Sequence, residues 1–199
     1  MSPAEIEALE RDTVAAVAPP QTLEIGGWRA PLDNGTIGRA KSAVPLSHDI
    51  GPEAIGEVVD AYRSRGLEPG FRIADVASLE SVQNDLARRR FTPRQPTIFK
   101  TGSTAELAAL SETSASILAA PDAAWGAVFL GEGFDPADGA HRIAALTRSP
   151  DAIYGSAGED GQTHAVGVMS FGAQWAGIHG MRTAPGHRGK GYASAILAA

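Results

Sequence analysis

Apolar positions along the chain recur at two spacings, and each spacing predicts a different element. Ser2 and Glu5 are placed as a capping box, and Ile6, Leu9, Thr13 and Val17 follow on one helical face before Pro19-Pro20 ends the run. Thr22 to Pro31 and Thr36 to Leu46 read as two strands around the turn signal Asp33-Asn34-Gly35. Pro52 opens a second helix whose face is Ile55, Val58, Val59 and Tyr62, with Gly66 as its C-terminal cap. A short strand is predicted around Phe71-Arg72-Ile73. A helix carrying Leu79, Val82 and Leu86 then ends at Arg88-Arg89-Arg90, and Pro96 to Lys100 reads as another strand.

The turn-forming run Thr101-Gly102-Ser103-Thr104 marks a boundary, which divides the chain into 1–103 and 104–199. Beyond it, Ala105 to Leu118 fits a strand or a helix. Trp125, Val128 and Phe129 suit a short helix. Asp135-Pro136 starts another, which turns Ile143 and Leu146 inward. Ala152 to Gly155 is a short strand and Glu159-Asp160-Gly161 a turn. Two well-patterned strands follow, His164 to Phe171 and Ala176 to Thr183. A final helix begins near Gly191. No low-complexity tract or clear repeat interrupts this order.

Composition narrows the function classes. The 199 residues are 43% apolar and 20% charged, enough to bury a core. With no cysteine, disulfides, thiolate metal sites and a cysteine nucleophile are excluded. A formal net charge of −6 argues against a broad electrostatic grip on nucleic acid. Neither a bilayer-spanning apolar run nor a secretory leader is evident, so a cytoplasmic protein is expected.

The charges are unevenly placed. Residues 1–103 hold 12 basic and 14 acidic side chains, whereas 104–199 hold 5 and 9. Three of those five basics, Arg182, Arg188 and Lys190, lie close together with His179 and His187 among them. Glycines share the segment. Gly189 and Gly191 leave the backbone bare where an anion could approach, and the small residues Ala193 and Ser194 open the helix that follows. The order of strand, glycine turn and helix start is that of a pyrophosphate cradle. It is not a P-loop, because Gly191 rather than Ser or Thr follows Lys190. It is not a dinucleotide fingerprint either, since a third glycine is missing.

Pro185 to Ala193, preceded by an apolar strand, resembles the acyl-CoA signature of the GNAT superfamily of N-acetyltransferases. That signature is Arg or Gln, two residues, Gly, one residue, then Gly or Ala, met here by Arg188, Gly191 and Ala193. Trp28-Arg29, Asn34-Gly35, Arg39 to Ser42 and Pro45-Leu46 resemble the first lobe of bacterial two-lobed members, as do Tyr62 to Leu67, Pro69 and Phe71. The resemblance implies a mixed α/β (α+β) fold, a mostly antiparallel sheet flanked by helices. It implies two GNAT-like lobes, with no CoA signature in the first and with the second incomplete after its signature. It implies transfer of an acetyl group from acetyl-CoA to a primary amine of a small molecule or protein; a CoA-binding or regulatory protein without turnover is the alternative.

Backbone N–H groups of Gly189, Lys190, Gly191, Tyr192, Ala193 and Ser194, with Arg188, would hold the pyrophosphate. Met181, Arg182 and Thr183 would pair with the pantetheine arm. Arg182 and Thr183 depart from the aliphatic strand end usual in the family. The implied partners are acetyl-CoA and an amine acceptor, without nucleic acid or membrane and with a homodimer left open.

The attacking amine must lose a proton, and His179 stands on the strand where some members of the family carry a histidine. Imidazole, with an ordinary pKa of about 6.5, suits that role. The family's acid is a tyrosine after the signature helix, a segment this chain does not contain, and neither Tyr154 nor Tyr192 is placed to replace it. His48, His141 and His164 lack paired ligand spacing, so no metal is expected. Arg88 to Arg90 read as a solvated helix end, and Trp28, Trp125 and Trp175 as packing residues. From Gly191 to Ala199 only nine residues remain, so the last helix must dock on the strands to persist.

Overall fold

Ser2 caps the first helix, α1 (Pro3–Ala15), as its spacing requires. Its hydroxyl accepts the Glu5 N–H at 3.3 Å, while its own N–H donates to Glu5 Oε2 at 2.6 Å. The chain then forms β1 (Gln21–Ile25) and β2 (Trp28–Leu32), an antiparallel hairpin. The computed structural model describes residues 1–199 and divides them into two units, Met1–Phe99 and Lys100–Ala199.

Within the first unit, the strand expected over Thr22 to Pro31 is interrupted. Gly26 and Gly27 take φ of +52° and +84°, the left-handed geometry of a two-residue hairpin turn, and Ile25 pairs directly with Trp28. Thr36 to Leu46 is not a strand over its length either. Gly38–Ala40 coils into a single tight turn, and only β3 (Val44–Pro45) joins the sheet, beside Trp28 and Arg29. Phe71 makes one parallel bridge to Ala43 rather than a strand. Pro96 to Lys100 is irregular and exposed, because no strand lies beside it to complete a ladder.

Helices α2 (Ile55–Arg63) and α3 (Glu80–Arg88) cover the small sheet. Ile55, Val58, Val59 and Tyr62 join Val82, Leu86 and Trp28 in one core. The Tyr62 hydroxyl donates to the Pro31 carbonyl at 2.8 Å, which ties α2 to β2.

The second unit resolves the ambiguous run into both alternatives: α4 (Thr104–Ala108) and then β4 (Ser116–Leu118). Helices α5 (Ala123–Leu130) and α6 (Pro136–Thr147) follow, each opened by an aspartate. Asp122 accepts the Trp125 N–H at 2.7 Å and Asp135 the Asp138 N–H at 2.8 Å. Strands β5 (Ile153–Glu159), β6 (Gln162–Phe171) and β7 (Ala176–Thr183) complete a fully antiparallel sheet in the order β4-β5-β6-β7.

Strand alternation divides the interior of this unit. Val166 and Val168 meet Trp125, Phe129 and Leu146 of α5 and α6. Ala165 and Ala157 meet Tyr192, Ala195 and Ile196 of α7 (Tyr192–Ala198) on the other side. The fold is mixed α/β, with antiparallel sheets flanked by helices. No helix is long and apolar enough to cross a membrane.

Candidate functional site

The sheet ends in a deformed edge. Val168 pairs with His179 and Val166 with Arg182, so Gly167 alone stands opposite Gly180 and Met181. This is a β-bulge, and Gly180 carries it at φ +60°. A Cβ there would lie 2.7 Å from Leu146 Cδ1, so the backbone runs hard against α6. Because β7 pairs only with β6, its other edge keeps its N–H and C=O groups available.

Past Thr183 the chain makes a single turn at Pro185–His187 and enters the glycine segment. Gly189 and Gly191 take φ of +76° and +85°. A Cβ added at either would meet no atom within 4 Å, so both face open space. The backbone N–H groups from Gly189 to Ser194 donate to no backbone carbonyl; the Ala195 N–H is the next to do so, onto Gly191. A bare, donor-rich backbone of this kind has the chemistry to meet a phosphate.

The charged side chains behave differently from one another. Arg188 is exposed and its Nε reaches the Thr183 carbonyl at 3.5 Å. Lys190 is engaged: its Nζ lies 3.1 Å from Glu159 Oε1 and 3.5 Å from His187 Nδ1. Hydrogen bonds from Lys190 and then Tyr192 hold the Glu159 carboxyl below its ordinary value. Tyr192 is buried against Ala165, and burial first, then Glu159, raises its hydroxyl pKa. Ala193 is exposed and Ser194 half-buried on the same helical turn.

Arg182 turns away from this segment. Its guanidinium lies 4.0 Å from the Phe134 ring centroid and 4.9 Å from that of Phe129, and 3.5 Å from Asp138 Oδ2. Burial lowers its pKa, against the pull of Asp138. Its side chain therefore fastens β7 to α5 and α6. The basic cluster read from the sequence is split between two tasks. Met181, 36% exposed, rests its sulfur over Gly167.

His179 is 5% exposed and shares its face with Val168. Its Nε2 lies 3.1 Å from Ser170 Oγ, itself buried on β6. Sequence reasoning missed Ser170; the antiparallel register is what places it beside His179. It also missed a second pairing. The rings of His164 and His187 stack at 3.5 Å with an interplanar angle of 9°, next to Glu159. No spacing rule links residues so far apart; only the fold does.

The family described as "Probable histone acetyltransferase Rv0428c C-terminal" has a profile that matches residues 3–199. Probable histone acetyltransferase Rv0428c of Mycobacterium tuberculosis is 31% identical over 122 residues, covering 61% of this chain. The match spans 37% of that relative's length. A solved GCN5-related N-acetyltransferase from Kribbella flavida is similar with a TM-score of 0.59 at 12% identity, over 98% of this chain and 78% of that one. At that identity the likeness is one of fold.

Proposed function

The chain belongs to the Probable histone acetyltransferase Rv0428c C-terminal family, and from that premise we propose that it transfers an acetyl group from acetyl-CoA to a primary amine. The observation that carries the reading is the turn after β7, where Gly189 and Gly191 are left-handed and face open space. Backbone N–H groups from Gly189 to Ser194 hold the pyrophosphate, with Arg188 beside them. The open edge of β7 at Met181, Arg182 and Thr183 takes the pantetheine arm as a strand would. The Arg182 side chain is committed to Phe134 and Asp138 and stays outside this contact.

Acetyl-CoA supplies an activated thioester. The protein's part is to orient the amine, accept its proton and return one to the departing thiolate. His179 is the proton acceptor in this reading, and its contact with Ser170 fixes the ring. The relative is a probable histone acetyltransferase, which makes a protein amine the first acceptor to test. Small-molecule amines follow.

A second reading is a CoA-binding protein without turnover. The burial of His179, at 5% exposure, favours it, because an acceptor amine must reach that imidazole. Equilibrium dialysis with acetyl-CoA tests both readings. The expected result is saturable binding, and its absence at hundreds of micromolar would sink them together. Thiol release across a panel of amines then separates the two. The chain has no cysteine, so every free thiol detected is that of CoA.

A further inference from the structure

We propose that Glu159, His164 and His187 form a binding site for a divalent transition-metal ion of zinc-like ligand preference. The three residues come from separate pieces of the fold. Glu159 ends β5, His164 lies near the start of β6 and His187 closes the turn after β7. One donor atom of each lies within 4.8 Å of the others. Two imidazoles and a carboxylate are a donor set that zinc accepts, with a fourth position left for water.

Two of the ligands are held in place before any ion arrives. Glu159 pairs with Gln162 across the tight Asp160-Gly161 turn, and His164 is the extra residue of the bulge opposite Ala157 and Gly158. His164 is only 8% exposed, with its ring stacked on His187 at 3.5 Å and tilted toward Tyr192 at 5.9 Å. Ligand atoms about a tetrahedral ion with bonds of ~2.0–2.1 Å stand roughly 3.3 Å apart, so the group must draw in slightly. The stacked rings must also fan open, because parallel imidazoles do not aim their lone pairs at one point. His187 is the ring that can tilt. It sits on the outer turn with 29% of its side chain exposed.

Lys190 gives the site a built-in competitor. Its ammonium is 3.1 Å from the Glu159 oxygen and 3.5 Å from His187 Nδ1, where a dication would repel it. Metal binding therefore displaces Lys190 and ties the glycine turn to the sheet through His187. This assignment does not depend on the acetyltransferase reading.

Calorimetric titration of the full chain with zinc chloride, in a buffer that does not coordinate metal, tests it. One ion per chain is expected. His187→Ala and Glu159→Gln weaken binding by about tenfold or more. Lys190→Ala tightens it, an effect that a stray surface histidine would not produce. His141→Ala, on an exposed part of α6, changes nothing. With cobalt as the probe, the visible absorption of a low-symmetry ion should appear in the wild type and vanish in His187→Ala. His187 and Lys190 lie on an exposed turn, so these variants fold even where His164→Ala does not. Absence of saturable binding overturns the proposal, as does equal affinity in wild type, His187→Ala and Lys190→Ala. Loss of acetyl-CoA binding in Gly191→Val with zinc binding retained keeps the two readings distinct.

Discussion

Gly191 holds φ +85° at the entrance to α7, where a β-branched residue is a steric outlier. Gly191→Val therefore does two things. It places atoms in the space assigned to the phosphate in the proposed function, and it costs about 1–2 kcal/mol of backbone strain. Acetyl-CoA binding should be lost in equilibrium dialysis, and the melting temperature should fall. Gly191→Ala keeps most of the strain with a smaller obstruction, so it separates the two effects. Wild-type affinity in the valine variant would remove the cradle from the account. Arg72 presents the opposite case, a residue the fold tolerates at a cost. Its three guanidinium nitrogens are buried with no hydrogen-bond partner. Burial lowers its pKa to about 10, with Glu10 opposing and Arg39 reinforcing the shift. The folded chain thus holds this proton less tightly than the unfolded chain. Stability rises with pH between about 10 and the ordinary arginine value, and at pH 7 the charge is a net penalty. Arg72→Met should raise stability in urea denaturation by about 1 kcal/mol. A lower midpoint would mean that attraction to Glu10 outweighs desolvation.

The Arg182 side chain ties strand β7 to helix α6, and removing it should be felt in both elements. Arg182 lies over Phe134 and beside Asp138, which also pairs with Arg142 at 2.8 Å. Arg182→Met keeps the apolar stem and deletes the charge. We expect a loss of about 1–2 kcal/mol, read from thermal or urea unfolding, with Arg142 left to hold Asp138. An unchanged midpoint would show the clamp to be idle. Elements with their own terminal signals were legible in the sequence. Ser2 with Glu5 and Asp135 with Pro136 start helices where expected, because a cap is satisfied within one turn. The span Ala176–Thr183 also stands as a strand. Elements that depend on a distant neighbour were not legible. Pro96 to Lys100 has the composition of a strand but nothing to pair with. Thr22 to Pro31 looks continuous until Gly26 and Gly27 reverse it. The site divides in the same way. The glycine turn is contiguous and could be read, whereas Ser170 beside His179 and His164 against His187 depend on strand register. The bulge at Gly180 depends on it too, and it decides which residues face α6.

Taken whole, the chain carries separate cores in Met1–Phe99 and Lys100–Ala199, one around Trp28 and Tyr62 and others around Trp125 and Tyr192. Residues 92–100 are exposed throughout and belong to no helix or strand. Backbone of this kind enters a protease without unfolding anything, whereas a site in a helix or a ladder must first open. Arg94 and Lys100 lie in that stretch. Arg88 and Arg89 are also exposed, but both pair with Asp85 at the end of α3, where a cut must first open the helix end. Trypsin at low ratio should therefore cut at Arg94 or Lys100 before any bond inside α2 or the β5–β7 sheet. The products should be two fragments of nearly equal mass that persist, because each retains its own buried cluster. Cleavage after Arg188 or Lys190 releases only a short C-terminal piece and is distinguished by mass. A first cut within α2, or rapid loss of either half, would mean that the two cores do not stand separately. Zinc provides an internal check in the same experiment. An ion bound by Glu159, His164 and His187 ties down the glycine turn, so it should slow cleavage after Arg188 and Lys190 while leaving the cut at Arg94 unchanged.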